Sequence, residues 1–90
     1  MNEYILKYPS FVKSNTDHWH LRGIRLVAPD EYEDVTTSRI LEMYGADGKI
    51  VVRTRNSLYI LDFWDYAGRQ MELLSEQMAR VAKEINHQDI

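Results

Sequence analysis

Apolar and polar residues alternate over the first two thirds of the chain and then change to a helical period. EYILKY, residues 3–8, sets Tyr4, Leu6 and Tyr8 on one side of a short strand that Pro9 ends or confines to an edge. SFVKSNTD then reads as a loop. WHLRGIRLV reads as a second strand, with Trp19, Leu21, Arg25 and Val27 on one side and His20, Arg22, Ile24 and Leu26 on the other. Gly23 in its middle marks a bulge or a close backbone approach, and Pro29 closes it. The acidic PDEYED that follows reads as a loop.

TSRILEMYGADGKIVVRTR predicts two strands around YGADG, where Asp47-Gly48 is a hairpin signal, and LYILDF adds a further strand after Asn56-Ser57. A two-residue Asn56-Ser57 turn sets Thr54 opposite Tyr59, Val52 opposite Leu61 and Ile50 opposite Phe63, pairing aromatic with branched residues. A loop over the whole of YGADG sets Arg39 opposite Arg53. Ile40, Val52 and Leu61 fall on one side of these strands and Leu41, Val51 and Ile60 on the other. Such a sheet curls into a partial barrel or lends its second face to a partner.

Met71, Leu74, Met78, Val81 and Ile85 recur at spacings of three and four, the mark of an amphipathic helix over 65–86. Glu76, Arg80 and Glu84 supply spaced charges on another face, Leu73 and Ala82 lie off the apolar stripe, and Asp62 or Asp65 caps the start. With strands at 3–8, 19–27, 37–43, 49–55 and 58–63, the predicted fold is α+β. A curved antiparallel sheet of four to five strands, a partial barrel, packs on one long C-terminal helix.

At 90 residues the chain forms a single domain, 1–90, because two cores would each be marginal. The absence of cysteine removes disulfides and thiolate chemistry and favours a reducing setting. No basic leader precedes an apolar stretch, and no run approaches the roughly 18 apolar residues of a membrane span. The expected setting is cytoplasmic, without a membrane. The net charge of −3 argues weakly against non-specific nucleic-acid binding, but the charges segregate: acids in 30–34, and Lys49, Arg53 and Arg55 in a stretch free of acids.

Three clusters are candidates for chemistry. NTDHWH puts His18 and His20 on one face of a strand, about 7 Å apart and close enough to share a metal, but a zinc site takes three or four ligands and the only other histidine is His87. The segment therefore reads as a polar strand start anchored by Trp19, and no metal or other cofactor is predicted. Asp30, Glu31, Tyr32, Glu33 and Asp34 lack the EF-hand pattern and read as an acidic patch for a basic partner, with Tyr32 as its aromatic anchor. Arg39, Arg53 and Arg55, with nearby aromatics, form a second, basic candidate, because facing arginines call for an anion or an acidic partner.

No phosphate loop, GxSxG elbow or HExxH is present, so no catalytic residues are assigned and an enzyme is not expected. The combination predicts a small intracellular protein-binding module, monomeric or homodimeric, that docks by its surface on a protein partner. It has the character of a phage or mobile-element regulator or inhibitor of a larger nucleic-acid-handling complex. The alternative is a nucleic-acid-binding small β-barrel using Arg39, Arg53, Arg55 and nearby aromatics.

Overall fold

The computed structural model describes residues 2–63 and 66–87, with side chains through Ile85. The alternating region forms five strands, β1 (Asn2–Lys13), β2 (Trp19–Ala28), β3 (Glu31–Ala46), β4 (Lys49–Thr54) and β5 (Ser57–Asp62), and the helical period forms α1 (Arg69–His87). The fold is α+β, a curved five-stranded sheet packed with one C-terminal helix.

Each strand pairs antiparallel with the next, and β5 returns to pair with β1, closing the ring. This last pair is parallel, running from Asn2↔Ser57 to Lys7↔Asp62. A meander reverses direction at every turn, so its first and fifth strands run the same way and can close only in parallel. The sheet is otherwise antiparallel, as predicted, but four interruptions of register make it an irregular coil rather than a clean barrel.

The first interruption explains Pro9. Lys7 faces Ile24 and Ser10 faces Arg22, so Tyr8 and Pro9 together oppose the single residue Gly23. Tyr8 takes a left-handed φ of 52° and swings outward to 50% exposure, while Pro9 is buried. A bulge tolerates proline because no ladder hydrogen bond is needed there. The strand therefore continues to Lys13, and SFVK belongs to β1, not to a loop. Tyr8 also leaves the side shared by Tyr4 and Leu6.

The acidic segment is likewise strand, not loop. Asp30, at φ 61°, completes a tight turn with Pro29, and Glu31 already opens β3. Across the hairpin Glu33 pairs with Arg25 and Tyr32 faces Leu26, cross-strand contacts that offset the low strand propensity of acidic residues.

Two turn assignments also change. Asp47 and Gly48 both have positive φ, 53° and 75°, the type I′ geometry of a two-residue hairpin, so Ala46 faces Lys49 and Glu42 faces Arg53. Arg39 is consequently not opposite Arg53. In the next hairpin the turn residues are Arg55 and Asn56, with Val52 facing Tyr59 rather than Leu61. Thr54 decides this: its Oγ1 accepts from Ser57 N at 3.2 Å and donates to Ser57 O at 3.1 Å, locking the tighter turn. In this second hairpin the slip from the predicted register is even, so the side chains of β4 and β5 keep their predicted faces.

The inward residues form one core: Leu6, Phe11, Trp19, Leu21, Ile40, Val52, Tyr59 and Leu61 from the strands and Leu74, Val81 and Ile85 from α1. Met78 packs against it, whereas Leu73 is 52% exposed. The helix starts at Arg69, after Gly68 at φ 51°, so Asp62, the last residue of β5, does not cap it; Asp65 lies outside the described residues. Beyond Lys7, β1 has no β5 neighbour. Tyr66 Oη donates to Pro9 O at 2.7 Å and Gln77 Nε2 donates to Phe11 O at 2.9 Å, so side chains cover the edge that a strand leaves. Among the described residues no helix is long and apolar enough to cross a membrane.

Candidate functional site

The acidic candidate is built on the β2–β3 hairpin. Pairing between β1 and β2 begins at Leu6↔Arg25, and pairing between β3 and β4 begins at Ile40↔Thr54. Among the described residues, Leu26–Tyr32 therefore pairs only with itself, a two-stranded arm extending beyond the ring. Its register places Leu26 against Tyr32 and Ala28 against Glu31, leaving Val27 as an extra residue. Val27 is 44% and Tyr32 49% exposed, and Lys7 Nζ lies 5.5 Å from the Tyr32 ring. Asp30, Glu31 and Asp34 are exposed and form no ion pair among the described residues.

Strand alternation puts Glu31 and Glu33 on the face opposite Tyr32 and Asp34, and of these acids Glu33 alone is drawn off by an ion pair among the described residues. Arg25 and Glu33 face each other on the inward side, joined by an ion pair and an Nε hydrogen bond. The Arg25 guanidinium lies 4.4 Å from the Tyr4 ring centre and donates to Tyr59 Oη at 3.4 Å, while Tyr4 and Tyr59 stack at 5.7 Å. Burial alone pulls the Arg25 pKa down, but the hydrogen bonds to Glu33 and Tyr59 more than offset it and raise the value. The cluster lies six residues along β2 from Trp19, about 20 Å at the usual strand rise. Arg25 was readable on the Trp19 side of the strand as a charge facing inward; its tyrosine partners, brought in from β1 and β5, were not.

The basic candidate does not assemble as predicted. Arg53 is taken by Glu42, its cross-strand neighbour, with Nε–Oε2 at 3.0 Å. Arg39 faces His20 across β2, and Arg55 is exposed in the β4–β5 turn, both without an ion pair among the described residues. Arg39 stands next to Ile40, whose β4 partner is Thr54, so Arg39 and Arg55 share one end of the ladder while Arg53 is neutralised elsewhere on it.

The histidines flank the real anchor. The Ser14–His18 loop is closed by Ser14 N to His18 O at 2.9 Å, and Trp19, 2% exposed, then turns inward. Trp19 Nε1 donates to Glu84 Oε2 at 2.6 Å, and Lys13 Nζ donates to Glu84 Oε1 at 3.0 Å. Those two donors, Lys13 first, hold the Glu84 carboxyl below the usual carboxylate range. His20 Nδ1 is 2.9 Å from Thr37 O, and His18 Nδ1, Ser38 Oγ and Arg39 Nε are buried without a hydrogen-bond partner among the described residues. Among the described residues no three His, Asp or Glu side chains gather as a metal site requires.

A groove of about 490 Å³ runs between the β1 bulge and α1, lined by Pro9, Tyr66, Leu73, Leu74, Gln77 and others. None of the predicted site residues reaches it, and its phenol, Tyr66, is raised above the usual range by burial and then by Tyr8. The arm is thus the one predicted cluster that the fold keeps together and exposed. Comparison with protein-family models, curated proteins and solved structures finds no match.

Proposed function

We propose that the protein is a non-enzymatic binding module whose β2–β3 arm docks on a basic, partly apolar surface of a protein partner. The observation that carries this reading is the arm's register. It exposes Tyr32 and Val27 on the part of the hairpin that no other strand of the described chain covers, with Asp30 and Glu31 near its turn and Asp34 two places along from Tyr32, three carboxylates without an ion pair among the described residues. Aromatic anchors ringed by charge suit such docking: the ring supplies buried area, and the carboxylates steer the encounter and select the partner's sign. Glu33 is left out of the contact set because its carboxylate serves Arg25.

The test is affinity capture with the triple variant Tyr32→Ala, Glu31→Lys and Asp34→Lys. These side chains are exposed, so the melting temperature should change by no more than a few degrees while capture of the wild-type partner is lost. Capture that survives in a folded triple variant rejects the arm as the docking element. The nucleic-acid alternative has no comparable support, because Arg53, one of the three arginines it needs, is neutralised by Glu42.

A further inference from the structure

Closing the ring leaves an outer face that the sequence pattern only half reveals. Tyr44 faces Val51, Val51 faces Ile60, and Ile60 faces Ile5, a continuous row across β3, β4, β5 and β1. All four point away from the core, because strands alternate and their chain neighbours face inward: Val52, Leu61 and Leu6 are 0%, 4% and 0% exposed, and Met43, beside Tyr44, packs against the core. Ile5 and Tyr44, at the two ends of the row, are each 42% exposed. At roughly 4.8 Å per strand the row is about 14 Å long.

The two flanks of the row carry opposite charge. On one side Glu3 faces Leu58, Leu58 faces Arg53 and Arg53 faces Glu42, two carboxylates with one guanidinium. On the other side Lys7 faces Asp62 and Lys49 faces Ala46, two ammonium groups with one carboxylate. An apolar strip between a net-negative and a net-positive border is complementary to itself. A two-fold axis along the strip turns one copy's negative border onto the other's positive border.

We propose that this face binds a second copy of the chain. In the resulting dimer the rows Tyr44–Val51–Ile60–Ile5 lie on one another, and Glu3 of each copy comes over Lys7 of the partner subunit. The contact is isologous, so each charge pair occurs twice and the assembly closes at two copies. Arg53 of one copy meets Lys49 of the partner subunit; Glu42 moderates this unfavourable contact by pairing with Arg53 within its own copy. The face shares no residue with the acidic arm, so dimerisation would present two arms at once and strengthen binding to a repetitive partner.

The symmetry makes a sharp test. Glu3→Lys puts lysine against Lys7 twice, and Lys7→Glu puts glutamate against Glu3 twice, so each variant alone should dimerise at least roughly tenfold more weakly than wild type. Mixed in equal amounts, the two variants restore both opposite-charge contacts, and a heterodimer of near wild-type affinity should form. Sedimentation equilibrium of the wild type, each variant and the mixture reads this directly, with circular dichroism to show that all are folded. A wild type that stays monomeric at its highest soluble concentration overturns the proposal, as does a dimer that either substitution leaves intact. Failure of the mixture to recover, with both single variants folded and monomeric, overturns it too. Lys7 also touches the arm's Tyr32 ring, so Glu3→Lys, four places away on β1, is the variant that separates a lost dimer from a disturbed arm, whose own test is capture of a different molecule.

Discussion

Gly23 shows how a single residue carries the coil of this sheet. A Cβ built there would lie 2.7 Å from the Lys7 carbonyl oxygen and 3.0 Å from Leu6 Cγ, a backbone atom and a fully buried side chain. Neither neighbour is free to move, so Gly23→Ala should cost about 1–3 kcal/mol, the range for overpacking a filled site. Urea denaturation measures it, and an unchanged midpoint would mean that the β1 bulge relaxes. The glycine was legible in the sequence as a bulge or a close approach; that Tyr8 and Pro9 form the bulge opposite it was not, because the register belongs to two strands. Asp47-Gly48 behaved differently: the dipeptide contains its own turn geometry, and the error lay in reading five loop residues where two suffice. That difference moved Arg53 from Arg39 to Glu42 and removed the facing arginines on which the basic candidate rested.

The elements were read well where one period governs them and poorly at their ends. The α1 stripe placed Leu74, Val81 and Ile85 in the core as the spacing requires, but its first turn starts later than predicted because Gly68, with positive φ, precedes it. What holds α1 to the strands includes a polar latch: Lys13 and Trp19 both donate to Glu84, and Arg80 lies 5.3 Å from the Trp19 ring. Because Glu84 sits below the ordinary carboxylate range in the folded chain, its contribution is present above that range and is lost as pH falls through the depressed value. Stability of the wild type should therefore fall with acidification through this window more steeply than that of Glu84→Gln, in which the side chain does not titrate. Urea midpoints taken from neutral into acidic pH check this, and parallel curves for the two proteins would mean the latch contributes nothing. The sequence reading had Trp19 as an anchor and Glu84 as a surface charge; 65 positions separate them, too far for any local pattern to join them.

The whole molecule has one core to which every strand and the helix contribute, and its ring is closed by pairing residues 2–7 with 57–62. No part of it buries an apolar face independently, so sheet and helix should unfold together. Thermal transitions followed by far-ultraviolet and near-ultraviolet circular dichroism should coincide, and a helix that melts first would show that α1 is only loosely docked. The α+β class, the alternation of faces and the position of the helix were all written in residues a few places apart, because strand and helix periods and turn chemistry act over a single turn or a single pleat. The parallel closure of β1 on β5, the gathering of Tyr4 and Tyr59 at Arg25, and the apolar outer row were not. Each joins segments far apart in the chain, as Arg25 and Tyr59 are by 34 positions, and which of many such pairings forms is settled only when the whole ring competes for one interior.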